Sequence, residues 1–488
     1  MSSGSGDVGR GEVGDAGETA PGPAAGPVRT EGDGPGDAGD GAAAAARYGT
    51  RAEQRGWYWY DWANSAFFST VITVFGGRYL TALAREAADA AGFVHPLGIP
   101  VRAGSLYPYA ISVSAVFQVA LMPIVGAVAD RTGRRRALLA WTTFVGAAAT
   151  VGFGLVSGSA YVLGGLLFLA ASVAFACAIV VYNSFLPDIA APDERDKVSS
   201  RGWAFGYLGG GILLVANLVL FQLAEGGRLP FGAGVAAQVS IASAGIWWAL
   251  FTIIPLRALH DRPPAHGAAP AGSALTAGFR QLGATLGKLR LAPVTLLFLA
   301  AYLLYNDGIQ TVIAQSSVYA DEELGLPASV AIVAVLLVQF IAMVGAWLLG
   351  VLAERFGAKL VVLASLVVWI GVLAYAFFMP AGQPGQFYLL AALIGLVLGG
   401  SQALSRSLFS HMTPRGREAE YFSLYEISDK GTSWLGSLLF GLALQFTGSY
   451  RASIISLLIF FVLGFILLAR TNVRTAVAEA GNPAPARL

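Results

Sequence analysis

The chain has 488 residues, with 31 Lys and Arg against 29 Asp and Glu, a formal charge of +2. Hydrophobic residues make up 56% and charged residues 12%, about half the roughly one-quarter charge of a soluble domain, so most of the surface must face something other than water. The neutral balance gives no footprint for nucleic acid, and a single cysteine, Cys177, rules out an intrachain disulfide.

Residues 1–50 are rich in Gly, Ala, Pro, Asp and Glu and contain no Leu, Ile, Phe or Trp. Nothing there offsets the entropy of ordering, which predicts a disordered acidic tail. The tail lacks the apolar segment of a signal peptide, so the first apolar helix is expected to direct insertion. Crossing the bilayer core takes about 20 helical residues. Runs of that kind lie near 57–82, 106–129, 137–157, 161–183, 203–224, 237–258, 291–316, 328–352, 358–379, 387–409, 421–445 and 450–470. The pattern predicts an all-α polytopic membrane protein with twelve transmembrane helices in two six-helix bundles, at 51–258 and 291–472. Between them, 259–290 reads as a cytoplasmic linker with an amphipathic helix from Leu275 to Leu289, and 473–488 as a short tail.

Lys and Arg concentrate in the loops after the even-numbered runs, in the linker (Arg280, Lys288, Arg290) and at both chain ends. The positive-inside rule then puts both termini and the linker in the cytoplasm. The loop after the second run reads Gly126-Ala-Val-Ala-Asp130-Arg131-Thr-Gly133-Arg134-Arg135-Arg136. The loop after the eighth reads Gly350-Val-Leu-Ala-Glu354-Arg355-Phe-Gly357-Ala-Lys359. A second pair joins Arg195-Asp196 before Gly209 to Arg417-Glu418 before Gly431. Repetition in register implies parallel six-helix repeats around a shared site. The basic turns are either plain tight loops or latches whose acid and arginines pair with a neighbouring helix end in one state and release it in another. The latch residues would be Gly126, Asp130, Arg131, Gly133 and Arg134, with Gly350, Glu354, Arg355 and Gly357.

The first basic turn resembles the signature of the major facilitator superfamily. Tyr60-Asp61-Trp62-Ala63-Asn64-Ser65-Ala66-Phe67, Tyr182-Asn183-Ser184-Phe185-Leu186-Pro187-Asp188, Ser200-Arg201-Gly202-Trp203-Ala204-Phe205-Gly206-Tyr207, Tyr305-Asn306-Asp307-Gly308 and Gly399-Gly400-Ser401-Gln402-Ala403-Leu404-Ser405-Arg406 are similar to the vacuole-effluxer branch, which includes autophagy-related vacuolar amino-acid exporters and bacterial relatives. The resemblance covers about 50–475. It implies two rocking six-helix bundles, a central site and export of a small polar solute such as an amino acid. The acidic tail and Glu354 in place of a second Asp depart from the pattern.

Acids inside hydrocarbon usually face a cavity or a partner. Asp307, Asp61 and Glu426 are therefore candidates to exchange a proton with a driving gradient. Asp61 could instead be an interfacial residue near its helix start, and Glu426 could form a structural i,i+4 pair with Lys430. Asn64, Ser65, Tyr182, Asn183, Tyr305, Asn306, Gln310, Gln402 and Arg406 supply donors and acceptors for a solute-binding wall. Arg406 either anchors a helix end or holds a substrate carboxylate. Trp203, Trp247, Trp248 and Trp434 read as interface anchors.

No catalytic constellation, Gly-Lys-Ser/Thr phosphate cradle or His pair at metal-ligand spacing occurs, so no cofactor or metal is expected. The expected partners are a small solute, the lipid bilayer and H+, with the chain a monomer in a bacterial plasma membrane. A polytopic membrane enzyme, or a receptor or scaffold that has lost transport, is the alternative reading.

Overall fold

Thr50 sets the start of the first helix. Its hydroxyl accepts the Glu53 amide (3.3 Å), and the Glu53 carboxylate accepts the Thr50 amide (2.9 Å), a reciprocal cap that satisfies two amides at once. The computed structural model describes residues 48–263, 292–430 and 434–487, all within the unit Ala45–Leu488. The expected acidic tail up to residue 47, the linker beyond residue 263 with its amphipathic helix, Gly431 and the Trp434 side chain lie outside the described residues.

Helix α1 (Arg51–Ala66) runs on through a π-helical stretch, Phe67–Phe75, into α2 (Gly76–Ala87). The resulting span of 37 residues overruns the expected 57–82 at both ends, because the polar first turn is capped and still helical. A short antiparallel ribbon follows, β1 (Phe93–Val94) with β2 (Val101–Arg102), pairing Phe93 with Arg102. Asp89 holds its entry by accepting the Ala91 and Phe93 amides, both at 2.9 Å. The Phe93 amide, and then His95, hold the exposed Asp89 carboxyl below the usual carboxylate range.

The remaining elements are α3 (Leu106–Thr132), α4 (Arg135–Leu155), α5 (Tyr161–Ser184), α6 (Leu186–Ile189), α7 (Arg195–Glu225), α8 (Ala233–Ala258), α9 (Pro293–Val318), α10 (Ala328–Phe356), α11 (Ala358–Phe378), α12 (Pro384–His411), α13 (Glu418–Lys430), α14 (Trp434–Thr447), α15 (Tyr450–Ser456), α16 (Leu458–Arg470) and α17 (Val473–Glu479). Among the described residues, 11 helices are long and apolar enough to cross a membrane. The eleventh expected run, 421–445, falls on α13 and α14. Gly133 ends α3 in the left-handed region (φ 61°) and Gly357 ends α10 at φ 87°, conformations that cost a Cβ-bearing residue energy.

Two large cores hold most of the buried apolar residues. One gathers buried residues from Trp57 to Leu259 and the other from Phe298 to Val477, with Ala419 alone crossing into the first. The halves meet where α3 packs on α13 and where α10 packs on α7, one contact made twice by the duplication. Apolar side chains such as Trp141, Leu155 and Phe378 are exposed on the outer faces, as lipid contact requires. The end of α12 does the opposite. From Val397 to His411 every residue is buried, including Ser401, Gln402, Ser405, Arg406, Ser407 and Ser410. A helix that is polar and buried all round must run through the middle of the protein, so its polar groups find partners there. Trp248 is not an interface anchor: it is fully buried, packed on Phe67 and Phe175, because Gly146 leaves space for its indole.

Candidate functional site

Arg406 is the hub of the site. It lies five residues before the end of α12 and is 3% exposed. Its Nε donates to Ser199 Oγ (2.9 Å), and its Nη2 donates to the Ser199 carbonyl (2.9 Å) and to Asp61 Oδ2 (3.3 Å). Its Nη1 donates to Asp61 Oδ2 (3.3 Å) and Asn183 Oδ1 (3.2 Å). All five donors of the guanidinium are thus engaged. Trp57 lies under the guanidinium at 4.6 Å, stacked in turn on Tyr182 at 4.4 Å. Gly202 makes room for the pair: a Cβ there would sit 2.6 Å from Asp61 Oδ2 and 3.1 Å from Arg406 Nη2.

The network continues across the two halves. Tyr182 donates its hydroxyl to Asp61 Oδ2 (2.7 Å). Asn183 donates Nδ2 to Glu426 Oε1 (2.8 Å), so a single carboxamide separates the Arg406 guanidinium from the Glu426 carboxylate. Lys430 bridges Glu426 (2.8 Å) and Asp429 (2.9 Å). Asp429 Oδ1 accepts from Asn306 (2.6 Å) and Tyr302 (3.1 Å). With every group ionised, Asp61, Glu426 and Asp429 outnumber Arg406 and Lys430, leaving one surplus negative charge. Glu426 makes the expected i,i+4 pair with Lys430, and that pair sits inside the cross-half network.

The other expected wall residues divide. Tyr305 shares a hydrogen bond with Ser405 Oγ (2.6 Å), and Gln402 Oε1 accepts from Tyr207 (3.1 Å). Asn64 is buried and makes no side-chain hydrogen bond among the described residues. Ser65 lies against the glycine face of α7, its Oγ 2.7 Å from a Cβ built on Gly206. Gln310 is half-buried. Asp307 stands apart from the network: its Oδ2 accepts the Gly436 amide (2.6 Å) near the start of α14.

A second cluster sits at the basic turn. Asp130 accepts the amides of Ala419 (3.1 Å) and Glu420 (2.8 Å), so a carboxylate from α3 caps the start of α13 in the other half, at the positive end of that helix. Arg135 ties the corner together, reaching Asp130 (2.8 Å), Glu418 (2.5 Å), Asp188 (2.8 Å) and the Ser184 carbonyl (3.1 Å). The arginine at the centre of this cluster is Arg135, whereas the expected Arg131 and Arg134 make no ion pair in it among the described residues. The left-handed turn at Gly133 restarts the helix at Arg135, which brings that side chain inward and leaves Arg134 exposed and Arg131 half-buried. Gly126 lets α13 approach, since its Cβ would lie 2.5 Å from the Ala419 carbonyl oxygen.

The second copy is looser. Gly350 meets Ser200, and among the described residues Glu354 pairs with Lys197 (3.2 Å), their side chains 36% and 43% exposed. Arg355 is exposed. Lys359, at the position of Arg135, turns instead to the carbonyls of Ala469 (2.9 Å) and Thr471 (2.8 Å). Sequence reasoning missed Arg135, Asp188, Glu418, Ser199 and Gly202 as site residues, although each stands in or beside a motif quoted above.

Comparison with known proteins agrees with this architecture. The family model described as "Vacuole effluxer Atg22 like" matches residues 49–481. The chain belongs to the vacuole effluxer Atg22-like family. Within reach of it are the uncharacterized MFS-type transporter YxiO of Bacillus subtilis (strain 168), 31% identical over 89% of this chain and 98% of that one, and autophagy-related protein 22 of Saccharomyces cerevisiae (strain S288c), 27% identical over 87% and 92%. Among solved structures, the MFS proton:xylose symporter XylE superposes with a TM-score of 0.62 at 13% identity, covering 86% of this chain and 93% of that one. The MFS transporter FucP in its outward conformation gives 0.61 at 13%, covering 86% and 99%. The fold of this vacuole effluxer-like chain is that of the major facilitator superfamily, and the protein is an integral membrane protein.

Proposed function

We propose that this chain is a secondary transporter that carries a small zwitterionic solute of the amino-acid class, probed by a guanidinium at one end and a carboxylate at the other. The arrangement Arg406–Asn183–Glu426 carries this reading. A solute carboxylate competes with Asp61 for Arg406, and its ammonium group takes the Glu426 and Asp429 end, replacing the carboxamide bridge of Asn183. Arg406 has no spare donor while Asp61 is ionised. Protonation of Asp61 removes the charge that holds the guanidinium and frees it for the solute, which couples a proton to solute binding. Glu426 is the second carboxylate for that exchange. The bundles of 51–258 and 291–472 rock about this site, and the Asp130–Arg135–Glu418–Asp188 latch holds the basic-turn side shut.

The Lys and Arg bias of the loops supports a cytoplasmic location for that side and for both termini, in a bacterial plasma membrane. The effluxer description of the family supports export. The test is counterflow of labelled amino acids into proteoliposomes. The Asp61→Asn protein, which mimics the protonated carboxyl, is expected to keep exchange of solute for solute and to lose accumulation driven by a pH gradient. Undiminished gradient-driven accumulation in that variant would remove Asp61 from coupling.

A further inference from the structure

Three buried oxygens on one stretch of α9 have no hydrogen-bond partner: Asn306 Oδ1, Asp307 Oδ1 and Thr311 Oγ1. Their residues are between 0% and 1% exposed. Buried polar atoms are nearly always paired, so three orphans within two turns point to a missing ligand. Those of Asp307 and Thr311 also converge. Asp307 Oδ2 accepts the Gly436 amide, and a Cβ on Gly436 would run into Thr311 Oγ1 and lie 3.2 Å from the Asp307 carbonyl oxygen. Asn306 is held from the other side, its Nδ2 donating to Asp429, which leaves Oδ1 as the acceptor.

An ionised Asp oxygen and an amide oxygen only accept. What the group lacks is positive charge, and among the described residues no Lys, Arg or His pairs with Asp307. On α13, Lys430 pairs with Glu426 and Asp429 and not with Asp307.

We propose that Asp307 Oδ1 and Thr311 Oγ1 are protein ligands of a sodium site. Hard cations take oxygen donors. One formal negative charge in a buried setting balances a monovalent ion, whereas a divalent ion would be left with a net positive charge in low dielectric. The close approach of Gly436 favours the smaller alkali ions over potassium, with water completing the shell. The site deepens the transporter reading by adding a coupling cation distinct from the proton at Asp61. Binding is measured without transport, so the two readings fail separately.

The test is the thermal stability of the full-length protein purified in detergent, at constant pH and ionic strength, in NaCl, LiCl, KCl or choline chloride. A ligand that binds the folded state raises Tm. NaCl is expected to raise it by roughly 2 °C or more over KCl, with retention of radioactive sodium by the same sample. Asp307→Asn should abolish both, Thr311→Val should weaken both, and Thr311→Ser should preserve both. Equal Tm and no sodium retention in the unmodified protein would overturn the proposal without recourse to any variant. So would a sodium response that survives Asp307→Asn, or stabilisation that follows pH with no preference among the cations, the result expected if Asp307 holds a proton instead.

Discussion

Replacing Gly126 by Ala tests the latch with a single methyl group. The added Cβ would lie 2.5 Å from the Ala419 carbonyl oxygen, 2.9 Å from its carbon and 3.1 Å from the Glu420 nitrogen. All three are backbone atoms at the start of α13, so no side chain can swing aside. Overpacking of this kind costs about 1–3 kcal/mol, and the cost falls only on the state in which α3 and α13 touch. Gly126 stays inside a helix in either state, so the propensity gain of Ala cancels. The population open on the basic-turn side should rise about 5- to 150-fold.

Cys177, the one native thiol, is buried, which makes a reporter cysteine at Ala403 clean. Ala403 is fully buried at the contact between halves, where its carbonyl accepts Ser199 Oγ (2.7 Å). An impermeant maleimide applied from the basic-turn side should label the Gly126→Ala protein faster by a factor in that range. Gly371→Ala is the control, since nothing lies within 4 Å of its Cβ. Equal labelling of Gly126→Ala and the unmodified protein would refute the closed-latch argument, as would equal acceleration in the control.

Asp130→Asn should also open that side, by about 1–3 kcal/mol, because it strips charge from a buried cap and pair. Glu354→Gln should shift the same labelling by at most about 1 kcal/mol, because its pair with Lys197 is partly open to solvent; equal effects would contradict the asymmetry of the two copies. Arg406→Lys leaves three donors in place of a planar fork of five, and counterflow should fall about tenfold or more; an unchanged rate would separate Arg406 from solute binding. At the β1–β2 ribbon, the folded Asp89 carboxyl lies below its ordinary range, so the stability it contributes is present above the unfolded value of about 4 and lost as pH falls through the folded one. Amide-exchange protection at Phe93 should decline in that acid window, and constant protection would show that Asp89 does not hold the turn.

The helices were legible because hydrocarbon leaves the chain few choices, and the apolar runs mark most of them to within a few residues, although α7 begins eight residues before the expected 203. Repetition of the basic turn suggested two halves, and the two large cores gather residues before Leu259 and after Phe298. Pairing across the halves was not legible. Arg135 looks equivalent to Arg131 and Arg134 in sequence, and only the left-handed turn at Gly133 decides which of them points inward. Ser199 and Gly202 act through space that α7 shares with α1 and α12, a relation absent from any local pattern. Trp248 misled for a related reason: a tryptophan near apolar residues suits an interface, and the opposing Gly146 that buries it lies on another helix.

The central claim is that Arg406 exchanges Asp61 for the carboxylate of a zwitterionic solute. Its most direct measurement is binding of a labelled amino acid to the purified protein, unmodified and as Asp61→Asn, over a range of pH. Affinity for the unmodified protein should increase as pH falls, and Asp61→Asn should bind tightly at every pH. Parallel pH profiles for the two proteins, or loss of binding in Asp61→Asn with the protein still folded, would contradict it.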